Sequence, residues 1–249
     1  MVEFLALAAA GFLAGALNAV AGGGTFITFP ALVWLGLPPI AANATATVAA
    51  LPGYVGSALA FRSDIRPEGA LGLRATALCA ALGAGIGSLL LLITPSSLFE
   101  AAVPWLLVVA TGLFAVGPRL LAALRARGRG VAGVGVSAAA IVAVSIYGGY
   151  FNGGLGIMLL ATFGLLGYVD LHGMNGLKNT LSALLSLVSA IAFALAGIVA
   201  WQPGVVLALA CAAGGWAGAR AARRATRTDR LRVGIVLIGL GVSAAFLLR

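Results

Sequence analysis

Charge is what this chain has least of. Only 8% of its 249 residues are Asp, Glu, Lys or Arg, and just six of those are acidic. A soluble domain carries about a quarter charged residues because its surface needs them, so a water-facing globule of this size is excluded. Histidine and lysine each occur once, at His172 and Lys178. One histidine, with no HExxH and no GxSxG, leaves nothing for hydrolytic or zinc chemistry. The chain is therefore read as a non-enzyme, with no catalytic residue, no cofactor and no metal. Its two cysteines, Cys79 and Cys211, lie inside apolar runs. They make no disulfide framework and read as small-residue packing. Met1-Val2-Glu3 lacks the basic start and the small-residue cleavage site of a signal peptide, so the first helix is expected to be retained.

What the chain has instead is apolar surface. Sixty-two per cent of its residues are apolar and the mean hydropathy is +1.13. Long apolar runs separated by short charged loops are the pattern of an all-α polytopic membrane protein. The net charge of +9 comes almost entirely from arginines in loops and at helix ends. Cytoplasmic Lys and Arg orient membrane helices, so the expected partner is the lipid bilayer and not nucleic acid.

The sequence also repeats itself. Gly22-Gly23-Gly24 and Gly153-Gly154-Leu155-Gly156 lie 131 positions apart. Each cluster leads into a short apolar run ending in Leu-Gly, at Leu35-Gly36 and Leu166-Gly167, and then into a polar helix start. Those starts are Asn43-Ala44-Thr45-Ala46-Thr47 and Asn175-Gly176-Leu177-Lys178-Asn179. Within one residue of the same offset, Ser57 matches Ser189, Phe61 matches Phe193, and Gly83 and Gly87 match Gly214 and Gly218. The arginines do not follow the repeat. Arg62 and Arg66 follow Phe61, but 197–204 is uncharged; 94–99 is uncharged, but 220–232 carries six arginines. Equivalent loops thus fall on opposite sides of the membrane.

Apolar runs place the elements at 4–20, 25–35, 41–61, 70–93 and 100–116 in the first half. In the second they fall at 131–150, 155–166, 174–199, 204–219 and 233–248. The boundaries are a first repeat over 1–118, a basic cytoplasmic linker over 119–130 and a second repeat over 131–249. Keeping the basic loops at 62–66, 119–129 and 220–232 on one side requires 131–168 to cross an even number of times. A hairpin with a glycine tip satisfies that condition. The expected architecture is two inverted-topology repeats, each a Gly-tipped helical hairpin plus three transmembrane helices. It belongs in the cell inner membrane, multi-pass, with both termini non-cytoplasmic. Whether the hairpin arms stop midway or cross fully stays open.

Broken helices in inverted repeats suit a transporter. Free N–H groups at a glycine tip cost several kcal/mol each in lipid, so they must face protein or a watery cavity. The second arm of each hairpin starts at its glycines, with the positive end of the helix dipole toward the tip. Two such N-termini converging at mid-membrane make a site for a small anion. The substrate-binding residues expected are Asn18, Gly22, Gly23, Gly24 and Thr25 from the first tip, and Asn152, Gly153, Gly154 and Gly156 from the second. Asn43, Thr47, Asn175 and Asn179 line the passage or cap their helices, capping being the expectation for the first of each set. Lys178 either attracts the anion or snorkels to the cytoplasmic interface. Asp170 and His172 read as capping or interface residues. The glycines at 83–87 and 214–218 read as packing seams, and Trp34 and Trp201 as an aromatic belt at non-cytoplasmic helix ends.

These residues resemble the TauE/SafE-type sulfite exporters (the TSUP family) over nearly the full length. The first half matches through Gly15-Ala16-Leu17-Asn18-Ala19-Val20-Ala21-Gly22-Gly23-Gly24, Pro30 and Leu35-Gly36-Leu37-Pro38. In the second, Gly148-Gly149-Tyr150-Phe151-Asn152-Gly153-Gly154-Leu155-Gly156, Asp170-Leu171-His172 and Asn175-Gly176-Leu177-Lys178-Asn179 carry the resemblance. Thr25 departs from it, standing where glycine or a small apolar residue is common. The resemblance implies transport of small anions such as sulfite, organosulfonates, sulfoacetate or thiosulfate. The expected partners are the small anion and the bilayer, and the option of a homodimer stays open. The spans hold almost no carboxylate to carry a coupling proton, Glu3 and Glu100 lying at their ends, which favours facilitated export over proton-coupled uptake, with alternating access as the expected mechanism. An ion-coupled uptake carrier, a channel and a non-transport assembly subunit remain alternatives.

Overall fold

A computed structural model describes residues 2–20, 22–66, 68–126 and 132–222. Among them every regular element is helical: α1 (Val2–Val20), α2 (Thr25–Trp34), α3 (Pro39–Phe61), α4 (Leu73–Ile93), α5 (Ser96–Ala126), α6 (Val134–Tyr150), α7 (Leu155–Leu165), α8 (Leu171–Leu195) and α9 (Trp201–Ala222), with one 3₁₀ turn over Arg62–Asp64. Five of them, α1, α3, α4, α8 and α9, are long and apolar enough to cross a membrane. The expected span at 233–248 and most of the arginine loop at 220–232 lie outside the described residues.

The polarity of this fold is turned inside out. On α4, Leu78, Leu82, Leu89 and Ile93 are 72%, 61%, 60% and 76% exposed. Meanwhile Asn43, Thr45, Ser57, Lys178, Asn179, Ser182 and Ser189 are buried to within 1%. A water-soluble fold does the reverse, because lysine and asparagine lose hydration on burial. Lipid is the medium that rewards an apolar outside, and the chain is a multi-pass membrane protein.

Helix ends follow local chemistry. Gly36 (φ +88°) and Gly167 (φ +95°) take the left-handed conformation that ends α2 and α7. At α2, Gly36 N donates to Val33 O and Leu37 N to Leu32 O; at α7, Gly167 N donates to Gly164 O and Tyr168 N to Phe163 O. This pair of bonds closes the free carbonyls of a last turn and needs a residue tolerant of positive φ. α3 starts with Pro39 behind Pro38, where a missing N–H costs nothing. α8 starts at Asp170, whose carboxylate accepts from His172 N (3.1 Å) and Gly173 N (3.0 Å). That cap sets the start of α8 at Leu171, three residues before the expected 174. At the other end Gly197 stops α8 at Leu195. α5 begins behind Pro95 and continues through the arginines to Ala126, so the expected linker is helical for its first eight residues, 119–126.

α6 and α7 form a hairpin. Ala132 N, just before α6, donates to Leu166 O, just after α7, at 3.4 Å, while residues 151–154 turn at the far end. This open end meets the end of α3: Glu68 accepts from Val169 N (2.7 Å) and Asp170 N (3.2 Å). At the opposite end, where α2 runs into α3, Thr45 Oγ1 accepts from Ala200 N in the loop after α8 (2.9 Å). The first arms, 19 and 17 residues, reach about 28 and 26 Å, and the second arms, 10 and 11 residues, about 15 and 16 Å. The first arms are therefore long enough to cross most of a hydrocarbon core of about 30 Å.

Each first arm leans on a helix of the other half: α1 on α9, and α6 on α4. The matched glycines make both seams. A side chain on Gly83 would strike Ser145 Cβ and Val142 O at 2.6 Å, and one on Gly87 would strike Ile146 O and, at 2.8 Å, Tyr150 N. On α9, Gly214 and Gly218 face Phe12 and Ala16 of α1 in the same way, and Cys211 packs its backbone against Gly15. The expected packing seams and small-residue role of Cys211 are thereby observed. Trp34 and Trp201 end and begin their helices with their side chains exposed.

Candidate functional site

α3 and α8 pack together through the centre of the fold, and each carries a polar stripe at helical spacing. On α3 it is Asn43, Thr47, Tyr54 and Ser57; on α8, Asn175, Asn179, Ser182, Ser186 and Ser189. Positions i, i+4, i+7, i+11 and i+14 fall on one helix face. The two stripes share one register, 132 residues apart, with Ala50 standing where Ser182 would be expected. Apart from the half-buried Asn175, all these residues are buried.

The stripes hold the hairpin tips. The last carbonyls of a helix have no partner within it, and here the other half supplies one. Asn43 Nδ2 donates to Tyr150 O at the end of α6 (3.0 Å), and Asn175 Nδ2 donates to Ala19 O at the end of α1 (3.1 Å). It is the same bond made twice, at matching positions of the repeat. Asn179 Nδ2 adds a second bond to Ala19 O (3.4 Å), and Lys178 Nζ donates to Asn18 O (3.1 Å). Asn43 and Asn175 therefore do not cap their own helices, as expected from sequence; they close the ends of α6 and α1.

Lys178 does not snorkel. It is fully buried, and its one hydrogen bond among the described residues is to the Asn18 carbonyl, with no carboxylate paired to it. Its stem passes α7: a Cβ on Gly156 would lie 3.2 Å from Lys178 Cδ and 2.5 Å from Gly22 Cα. The first tip, the start of α7 and the only lysine thus meet at one point, where two backbones touch because both residues lack a side chain.

The two tips are not alike. At the first, Gly24 N donates to Asn18 Oδ1 (2.7 Å), so the hairpin closes on its own side chain. At the second, Asn152 turns away from the glycines; its Oδ1 accepts from Tyr54 Oη (3.4 Å) and its Nδ2 donates to Ser186 Oγ (3.2 Å). Tyr147 Oη fixes the carbonyl of Gly153 (2.7 Å), and Phe151 is held edge-on by Phe29 and Tyr147. Gly154 (φ +75°) precedes α7 without a side-chain cap. The N–H groups of Gly153, Gly154 and Gly156 make no hydrogen bond among the described residues. At the first tip α2 likewise has no side-chain cap, and the N–H groups of Gly23 and Thr25 make no hydrogen bond among the described residues, so both helix starts keep free donors, two at α2 and three at α7. Three buried donors at the positive end of a helix dipole, with the Lys178 stem passing Gly156, are chemistry for an anion.

Of the expected residues, Gly22, Gly156, Lys178, Asn18, Gly24, Asn175 and Asn179 gather at this junction. Thr25 lies beside the Tyr54 hydroxyl, which joins it to Asn152. Thr47 bonds back to Asn43 O within α3 (2.9 Å), and Asn43 sits at the end of α6. Tyr54, Tyr147, Ser182 and Ser186 were not singled out from sequence. Continuing the helical spacing from Asn43 and Asn175 would have found three of them; Tyr147 had no such signal. No cluster of His, Cys, Asp and Glu suited to a metal occurs among the described residues.

Comparison with known proteins agrees with this picture. The family model for the sulfite exporter TauE/SafE matches residues 7–246. A probable membrane transporter protein, ORF9, from a Sinorhizobium species is 31% identical over 228 residues, covering 88% of this chain and 82% of its own. A probable membrane transporter protein from Haemophilus influenzae is 29% identical over 198 residues, covering 79% and 76%. No solved structure matches. The chain belongs to the TauE/SafE sulfite exporter family and is a membrane transporter.

Proposed function

We propose that the chain exports a small monoanion, sulfite in its singly protonated form or an organosulfonate, bound between the uncapped start of α7 and the Lys178 ammonium. The observation carrying this reading is a fully buried lysine that passes Gly156 at the start of α7, with no carboxylate partner for the lysine and no acceptor for three backbone donors there among the described residues. Each would cost free energy left alone, and one bound anion answers both. Transport is by alternating access. The two halves are inverted repeats, a reading supported by the mirrored Asn43 and Asn175 bonds and by hairpins that open at opposite ends of α3. Each end has its own latch, Glu68 on Val169 and Asp170 at one and Thr45 on Ala200 at the other, and both are made here with the tips buried. Releasing one latch at a time would expose the site to one side only.

The end bearing Arg62 and Arg66 is the cytoplasmic one under the positive-inside rule. With the inside negative, each monoanion moved outward gains about 2.3 kcal/mol per 100 mV, so export needs no intramembrane carboxylate. Of the described acidic residues, Glu3, Asp64, Glu68 and Asp170 lie at helix ends or in loops and Glu100 in the second turn of α5. The test is efflux of labelled sulfite from proteoliposomes: saturation and acceleration by external unlabelled sulfite are expected. Unsaturable flux without exchange would make it a channel, and uptake that requires a sodium or proton gradient would reverse the direction.

A further inference from the structure

One set of atoms at the junction is the wrong kind for a simple oxyanion. Asn175 Oδ1 and Asn179 Oδ1 are buried there and have no hydrogen-bond partner among the described residues; the same holds for Asn43 Oδ1 at the other tip, and the buried Ser182 hydroxyl, which can accept or donate, is unpartnered too. The orientation of an asparagine amide is ordinarily open to reversal, but not here. Each of the three amides faces a backbone carbonyl, of Tyr150 or Ala19, and a carbonyl only accepts. The NH₂ must point at it, so the amide oxygen is the atom left over. Reversing the amide would set two acceptors against each other.

On α8 these acceptors flank the lysine. Asn175 is one turn before Lys178, Asn179 is next to it, and Ser182 is one turn beyond. One side of the junction thus offers donors (Lys178 and the start of α7), while the α8 stripe offers two amide oxygens that only accept and, at Ser182, a hydroxyl that can do either. A metal cation would answer the acceptors, but it would sit beside an ammonium in a low-dielectric interior, where like charges repel strongly. A neutral O–H group meets the acceptors without that penalty. We propose that the site prefers anions carrying a hydroxyl of their own, with the charged group on Lys178 and the α7 N–H groups and the hydroxyl on the Asn175, Asn179 and Ser182 oxygens. This rests on the anion site proposed above and adds the substrate class.

Matched pairs test it. Labelled sulfite bound to the detergent-solubilised full chain is displaced with 2-hydroxyethanesulfonate against ethanesulfonate, and with hydroxyacetate against acetate. Burying an acceptor unmet costs about 1–3 kcal/mol, so the hydroxylated member of at least one pair should compete about ten- to a hundredfold better. In Asn179→Leu that ratio should fall toward one, Ala19 O keeping its bond from Asn175. Equal competition within both pairs, or displacement by neither pair, overturns the hydroxyl preference while leaving the anion site standing. Failure of sulfite itself to bind overturns both.

Discussion

Replacing Lys178 by methionine should move stability and binding in opposite directions. The side chains are close in length, so packing around the junction is retained. What disappears is one ammonium, fully buried, with a single 3.1 Å bond to Asn18 O. Burying such a charge costs several kcal/mol even after relaxation. The Asn18 carbonyl and the negative end of α1 return about 2 kcal/mol of that. Removing the charge is therefore neutral or stabilising for the empty protein. Binding is different, because the anion loses a charged partner contributing about 1.5–3 kcal/mol. At about 1.4 kcal/mol per tenfold, affinity for sulfite should fall about 10- to 150-fold. Thermal unfolding followed by tryptophan fluorescence and direct binding of labelled sulfite, both in detergent, measure the two effects on one sample. A clear drop in melting temperature with unchanged affinity would refute the reasoning and leave Lys178 as a cap on α1.

The mirrored asparagines should not be equal in effect. Asn43→Leu leaves Tyr150 O without its partner, costing about 1–3 kcal/mol, whereas Asn175→Leu leaves Ala19 O its second bond from Asn179 and should cost under about 1 kcal/mol; thermal unfolding ranks them, and equal losses would contradict the bonding described. Gly87→Val should abolish folded yield on size-exclusion chromatography, because its side chain would enter the α6 backbone, while Gly85→Val, two residues away with nothing within 4 Å, should fold normally. In a Cys79→Ala, Cys211→Ala background, cysteines at Ser63 and Val169 should label from one face of a sealed vesicle and cysteines at Gly36 and Trp201 from the other. Labelling of all four from one face would end the inverted-repeat reading.

Much of this protein was legible in its sequence because the physics involved is local. Too few charges for a wet surface fixed the membrane class whatever the arrangement of helices. Leu35-Gly36 and Leu166-Gly167 marked helix ends because a last turn needs a residue tolerant of positive φ. The small residues at 83–87 and 214–218 announced close packing, and the doubled glycine clusters announced two hairpins. The start of α8 was misplaced by three residues, since the strength of the Asp170 cap depends on where its carboxylate points.

What spacing could not assign is which polar atoms are already spent. Asn18 and Asn152 both precede the glycines of their tips in the sequence, yet Asn18 closes its own hairpin and Asn152 is drawn away to Tyr54 and Ser186. Lys178 lies in the second turn of a helix, a position equally suited to snorkelling or to burial; only the packing of α1 and α7 over it decided for burial. The site bonds that join the two halves link residues 98 to 160 positions apart. Propensity and hydropathy act within a helical turn, so they set the elements and the stripes. Partners for buried donors and acceptors exist only once helices from both halves have met, and that was left to the tertiary structure.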